Sequence, residues 1–146
     1  MKEYAYNPEM TARTSVDGWL HTGDLGWMDE EHFVFFADRM KDLIIRGGEN
    51  IFPAEIEDVL RKHPKIADVA VLGFPHPRLV EIVMAVIQTL PGAHLSEGEV
   101  VEFVKERGMA KYKWPEKIVF APVPRNPSGK IEKPKLRELY VKPAQQ

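Results

Sequence analysis

The chain has 146 residues, 44% of them hydrophobic and 29% charged, with a formal net charge of -2. That is enough for a domain with a real core, and too evenly charged for a nucleic-acid binder, which carries a basic excess or stripe. There is no cysteine, which removes disulfides, thiolate metal sites and a cysteine nucleophile and fits a reducing compartment.

Residues 1–20 hold Tyr4, Tyr6, Pro8 and Trp19 without periodicity and read as a lead-in rather than an element. Two glycine turns and an acidic turn (Asp29, Glu30, Glu31) follow, then a β-rich run from Phe33 to Phe36. "DLIIRGGENI" is a short strand ending in a double-glycine turn. "FPAEIEDVLRKHP" is a helix: Pro53 suits its first position, Glu55, Glu57 and Asp58 lie near the positive end of the dipole, and Arg61 and Lys62 near the negative end. Ile56, Val59 and Leu60 form its apolar stripe.

"KIADVAVLGF" and "EIVMAVIQTL" are apolar, β-branched and separated by a proline-rich turn, so they are expected as paired strands. A second helix opens at Ser96 with Glu99 three residues on, a capping box. Leu95 and Val100 suit a hydrophobic staple, Val100, Phe103 and Val104 face inward, and Gly108 marks the stop. "EKIVF" is a further strand, and "KPKLRELY" a short helix with Leu136, Leu139 and Tyr140 on one side. The last six residues, 141–146, are expected to fray. The fold class is therefore α+β, a small mixed or antiparallel sheet with packed helices, preceded by a β-rich strip.

Other features exclude whole classes. No two of His21, His32, His63, His76 and His94 stand three to five apart, so no zinc-type pair exists and no metal ligand is expected in this chain. The run "IVMAVIQTL" is far short of the roughly 20 apolar residues that span a membrane, and "MKEYAYNPEM" lacks the apolar region of a signal peptide. A cytoplasmic location is expected, and peripheral membrane association is compatible with these residues.

The pair Gly129-Lys130 in "PRNPSGKI" has three readings: a phosphate grip, a turn with a solvated lysine, or a mobile catalytic arm. A P-loop needs an earlier glycine where Pro124 stands and a Ser or Thr where Ile131 stands, so the phosphate grip is rejected. For a lone Pro-x-Gly-Lys, the solvated lysine is the default.

Four motifs in series shift that balance: "HTGDLG" (21–26), "DRMKDLIIRGGENIFPAEIE" (38–57), "KYKWP" (111–115) and "RNPSGKI" (125–131). Together they resemble the C-terminal part of the adenylate-forming superfamily of acyl- and aryl-CoA synthetases, peptide-synthetase adenylation domains and luciferases. The "RGGENIFPAEIE" wording is most similar to the fatty-acyl-CoA ligase branch. The resemblance implies an ATP-dependent acyl-CoA synthetase that uses ATP and CoA as substrates and releases AMP and diphosphate.

Residue by residue, the resemblance implies the following. Lys130 matches the adenylation lysine. Asp24 matches the carboxylate on the ribose hydroxyls, where two acceptor oxygens suit a vicinal diol; its plainer reading is an Asp in a glycine turn. Arg39 matches a second ribose or phosphate contact, the plainer reading being a surface arginine ending a strand, and Thr22 approaches the α-phosphate. Lys41 falls on the hinge, so residues 39–146 form a mobile lid and 1–38 a strip of the preceding core domain. Gly47, Gly48 and Glu49 lie on the CoA side, where a hairpin turn is equally compatible. Lys111 and Lys113 are read as a solvated basic face rather than CoA ligands, and Trp114 as packing.

Val80 stands where the family often has glycine, which puts the shape of that hairpin in question. The motifs of the family's large N-terminal domain, including the glutamate that holds Mg2+ and the acid tunnel, do not occur in these residues. The chain by itself is therefore expected to be inactive, with Trp19, Trp27, Phe33 and Phe35 exposed and homodimerisation as one outcome. The competing class is a non-catalytic module that binds a nucleotide or partner.

Overall fold

The structure is a computed structural model and describes residues 3–141; the fraying expected at the C-terminus falls almost wholly outside them. The chain divides into two compact units, one ending at Lys41 and the other starting at Asp42.

The first unit is a helix followed by two hairpins. α1 (Pro8–Thr14) leads to β1 (Ser15–Val16) and β2 (Trp19–Leu20), which pair antiparallel, and then to β3 (Asp24–Met28) and β4 (Val34–Arg39), also antiparallel. The expectation that residues 1–20 hold no element is corrected here. The signal is local: Asn7 Oδ1 accepts the Met10 N–H, and Pro8 pre-sets the first turn. A helix made this way buries no side chain, so it carries no apolar stripe in the sequence. Across β3 and β4, Trp27 and Phe35 are register partners and stack at 4.2 Å. Trp19, Phe33 and Phe36 are exposed, and Trp27 is 59% exposed despite its stack.

The second unit is a mixed five-stranded sheet with helices on both faces. β5 (Ile44–Arg46) and β6 (Glu49–Ile51) form a hairpin, α2 (Pro53–Leu60) follows, and β7 (Ile66–His76) and β8 (Val80–Thr89) make the long central pair. α3 (Glu97–Glu106) then carries the chain back so that β9 (Lys117–Phe120) runs parallel to β8, the geometry a helical crossover imposes. α4 (Lys133–Tyr140) closes the unit. The sheet order is β6-β5-β8-β7, with β9 on β8.

Strand alternation separates two cores. Val69, Val71, Val83, Ala85 and Ile87 point to the face covered by α2 and α3, where Ile56, Leu60, Val100 and Val104 meet them. Ala70, Leu72, Met84 and Val86 point to the other face, against Leu136 of α4. Because both faces are covered, β7 and β8 read as continuous apolar runs rather than alternating ones.

α3 follows its local code at both ends. The Ser96 hydroxyl accepts the Glu99 N–H while Glu99 accepts the Ser96 N–H, and Leu95 and Val100 pack in one cluster. At the far end the Gly108 N–H reaches Lys105 O and the Met109 N–H reaches Val104 O, a Schellman closure.

Two side chains differ from expectation. Leu139 is 61% exposed, because at about 100° per residue the inward stripe of α4 runs through Lys133, Leu136 and Tyr140 and leaves Leu139 outside it. Glu57, expected as a charge near the start of α2, is buried. Its Oε1 accepts the Val71 N–H at 2.9 Å and faces Lys133 Nζ at 2.8 Å, while Oε2 meets Arg61 at 3.3 Å. A buried carboxylate needs such partners, and these tie α2, β7 and α4 together.

Candidate functional site

In the first unit, the end of β4 lies beside the start of β3, which makes Asp24 and Arg39 register partners, and Arg39 Nε stands 3.4 Å from Asp24 Oδ1. Thr22 Oγ1 accepts the Asp24 N–H at 3.1 Å, and Met40 donates its N–H to Gly23 O at 2.8 Å. Two cavities open at this point, one of about 410 Å³ lined by Thr22, Gly23, Arg39, Met40 and Lys41, and a larger one of about 710 Å³ whose lining includes His21, Thr22, Gly23, Asp24 and Met40. The structure therefore gathers three of the sequence-expected residues, Thr22, Asp24 and Arg39, in one place with a carboxylate, a guanidinium and a hydroxyl exposed. Lys41 lies in a short 3-10 turn, Met40–Asp42, at the division between the units. The residue just after it is held to the second unit, since Asp42 Oδ1 pairs with Arg137 of α4 at 2.7 Å.

In the second unit, Gly47 and Gly48 form the two-residue turn between β5 and β6 with φ of 57° and 94°. Both central residues of such a turn need positive φ, which glycine adopts without a steric cost. The Gly47 N–H donates to Leu79 O at 2.8 Å, and Arg46 pairs with Val80 at the start of β8. The turn is thus braced by the β7–β8 hairpin, and Glu49, first residue of β6, is exposed beside it. Val80 has φ of 69°, in the left-handed region that glycine adopts most readily. A β-branched residue therefore bears the strain of this turn.

A further groove in the second unit, about 460 Å³, is bounded by Arg46, Lys111, Tyr112, Trp114 and Glu116. Lys113 is not on a solvated face. Its ammonium meets Glu55 at 2.7 Å, and although burial works against the charge, that carboxylate outweighs it and raises the lysine above its ordinary range. Trp114 packs against the first core and donates Nε1–H to Met109 O at 2.7 Å.

Lys130 stands on a loop with an ordered backbone and an exposed side chain. Its N–H donates to Asn126 Oδ1 at 2.9 Å, its carbonyl accepts the Asn126 N–H at 2.9 Å, and the Gly129 N–H reaches Asn126 O at 2.8 Å. Among the described residues its ammonium has no carboxylate partner. Arg125, Asn126 and Asp68 were not marked by sequence reasoning, although they surround this loop; the only signal was an arginine five residues ahead of the lysine. No group of three or more His, Asp or Glu that could hold a metal occurs among the described residues, and no described helix is long and apolar enough to cross a membrane.

A three-layer α+β unit of this kind, with a double-glycine hairpin and a Gly-Lys loop, is the fold of the C-terminal domain of adenylate-forming enzymes. The chain belongs to the AMP-binding enzyme C-terminal domain family, which matches residues 55–130. It is 45% identical over 141 residues to the long-chain-fatty-acid–CoA ligase FadD13 of Mycobacterium tuberculosis, covering 96% of this chain and 28% of that protein. It is 42% identical over 137 residues to a 2-succinylbenzoate–CoA ligase of Bacillus cereus, covering 93% of this chain and 28% of that ligase. Its structure is similar to ATP-bound MatB from Rhodopseudomonas palustris, with a TM-score of 0.86 and 39% identity over 95% of this chain and 28% of MatB. The chain thus spans 28% of the length of these relatives.

Proposed function

We propose that this chain is the lid of an ATP-dependent acyl-CoA synthetase of the long- or medium-chain fatty-acid–CoA ligase type, with residues 1–38 as a strip of the core domain and 39–146 as the moving part. The observation that carries this reading is the exposed ammonium of Lys130, without a carboxylate partner among the described residues, on a loop whose backbone is held by Asn126. The fatty-acid branch is supported by the identity to FadD13.

The reaction has two steps with different needs. First a carboxylate oxygen attacks the α-phosphorus of ATP, the bond to the β-phosphate breaks and diphosphate leaves. Two like charges about 4 Å apart repel by about 4 kcal/mol at an effective dielectric near 20, and a cation between them offsets this. Lys130 supplies it, and such a preorganised contact is worth on the order of 10²–10³ in rate. Then the thiol sulfur of CoA attacks the acyl carbon, its proton passes to solvent and AMP leaves. Here Gly47, Gly48 and Glu49 border the pantetheine arm, which needs close backbone approach rather than charge. Asp24 accepts from the ribose hydroxyls, Arg39 meets ribose or phosphate, and Thr22 faces the α-phosphate. Turning about Lys41 exchanges the two loops at the reacting centre.

Mg2+ and the acid are assigned to the core domain, and the chain alone is inactive. The exposed apolar side chains Trp19, Trp27, Phe33 and Phe35 are covered by that core, and in its absence two copies pair through them. The cytoplasm is the assigned location, with membrane association only through a long acyl substrate.

The experiment joins this chain to the core domain of a relative such as MatB and follows thioester formation from that core's acid. Activity is expected only when both parts are present, and Lys130→Ala is expected to abolish adenylation. Equal activity in the wild-type chain and the Lys130→Ala variant would refute the role given to Lys130.

A further inference from the structure

The loop carrying Lys130 is clamped at a single peptide. Arg125 and Ile131 form an antiparallel bridge at its base, and Gly129, at φ of 81°, lies at its tip. Arg125 extends a fork to Asp68 on β7, with Nε 2.7 Å from Oδ2 and Nη2 2.9 Å from Oδ1. The remaining arm, Nη1, donates to the carbonyl of Gly129.

That carbonyl belongs to the same planar peptide as the Lys130 N–H, which is held on its opposite edge by Asn126 Oδ1. Two hydrogen bonds on opposite edges of one rigid plane fix its orientation, and with it the direction in which the Lys130 side chain leaves the backbone. We propose that Arg125, anchored by Asp68, is a positioning residue for Lys130: one guanidinium transmits the rigidity of the central sheet to the peptide that aims the adenylation lysine. The inference rests on the function proposed above and deepens it.

Three features support the clamp. Asp68 is largely buried, with 14% of its side chain exposed, so the anchor is part of the sheet and not a surface group. Burial alone would push its carboxyl up, yet the Arg125 hydrogen bonds and the Val69 N–H outweigh that and hold it below its ordinary range. Ser128 Oγ donates to Asn126 Oδ1 at 2.7 Å, so the acceptor on the other edge is itself fixed. Lysine cannot replace Arg125, because a point charge has no fork to span a carboxylate and a carbonyl together. An aiming error of about 1 Å is enough to cost on the order of 10²-fold in rate.

The test uses the chain joined to a core domain and measures each half-reaction. In Arg125→Lys and Asp68→Asn, adenylation by ATP–diphosphate exchange is expected to fall about 10- to 100-fold with KM for ATP within about twofold. Conversion of supplied acyl-adenylate to thioester is expected to stay within about twofold. A uniform loss in both half-reactions, or none in adenylation, overturns the proposal.

A second measurement needs no activity. In the chain alone, hydrogen exchange at the Lys130 amide is expected to accelerate about tenfold or more in Asp68→Asn, with the Leu72 and Met84 amides unchanged. An unchanged Lys130 amide overturns the clamp. A Lys130→Ala variant that adenylates normally overturns the functional reading beneath it, whatever Asp68→Asn does to the amide.

Discussion

Asp24 and Arg39 sit opposite each other in the β3–β4 ladder, carboxylate 3.4 Å from guanidinium, with 41% and 50% of their side chains exposed. An ion pair this accessible contributes about 0–1 kcal/mol to stability. Asp24→Asn is therefore expected to leave unfolding of the chain nearly unchanged. A carboxylate holding ribose hydroxyls makes hydrogen bonds worth about 1.5–3 kcal/mol. In the chain joined to a core domain, KM for ATP is then expected to rise roughly 10- to 100-fold. Unchanged KM with unchanged stability would remove Asp24 from the nucleotide site.

Val80 holds φ of 69° while 63% exposed, so it bears strain with little burial in return. The left-handed conformation costs an L-residue roughly 1–2 kcal/mol, and glycine gives back part of that through its freer unfolded chain. Val80→Gly is expected to stabilise the chain by about 0.5–1 kcal/mol, a rise of about 1–4 °C in Tm. A fall in Tm would show that the Val80 side chain has a packing role outweighing its backbone.

Glu57 and Lys133 are both largely buried, at 8% and 13% side-chain exposure, and 2.8 Å apart. Removing one member of a buried pair strands the other, at a cost of about 3–5 kcal/mol. Glu57→Ala also deprives the Val71 N–H of its acceptor. It is expected to lose about that amount in urea unfolding. Lys133→Met keeps the stem and leaves Glu57 with Arg61 and Val71, so its loss is expected to be smaller. Equal small losses would mean that solvent reaches the pair.

These residues also show which parts of the molecule the sequence could reveal. The ends of α3 are legible because Ser96, Glu99 and Gly108 act on backbone within a turn of themselves. The paired strands β7 and β8 are legible from their apolar runs. Asp24, Arg39 and Thr22 are grouped by resemblance; that the β3–β4 ladder sets Asp24 opposite Arg39 is not legible in the local sequence. Glu57 looked like an ordinary first-turn acid because its partner Lys133 lies on a helix far along the chain, and a buried pair leaves no local periodicity. Asp68 and Arg125 were missed for the same reason. α1 was missed because a helix made by its cap and proline has no stripe to detect.

Glu99 gives the clearest pH dependence. Lys65, at 2.5 Å, and then the Ser96 N–H and hydroxyl hold its carboxyl down to about 2 from 4.5. A folded-state value below the unfolded one contributes stability that is complete above pH 4.5 and is lost as pH falls towards about 2. The stability difference between wild type and Glu99→Gln is therefore expected to be largest above that window and to shrink through it. A difference that stays constant across the window would mean the pairing with Lys65 and Ser96 does not persist in solution.

The central claim is that two loops of one lid serve two chemical steps in turn, and its most direct measurement is the pair of half-reactions in Lys130→Ala and Gly47→Leu variants of the chain joined to a core domain. Lys130→Ala is expected to lose on the order of 10²–10³ in adenylation and to keep thioester formation from supplied acyl-adenylate. Gly47→Leu, which places bulk on the turn proposed to face the pantetheine arm, is expected to show the reverse. Loss of the same step in both variants, or of neither step in Lys130→Ala, would contradict the account.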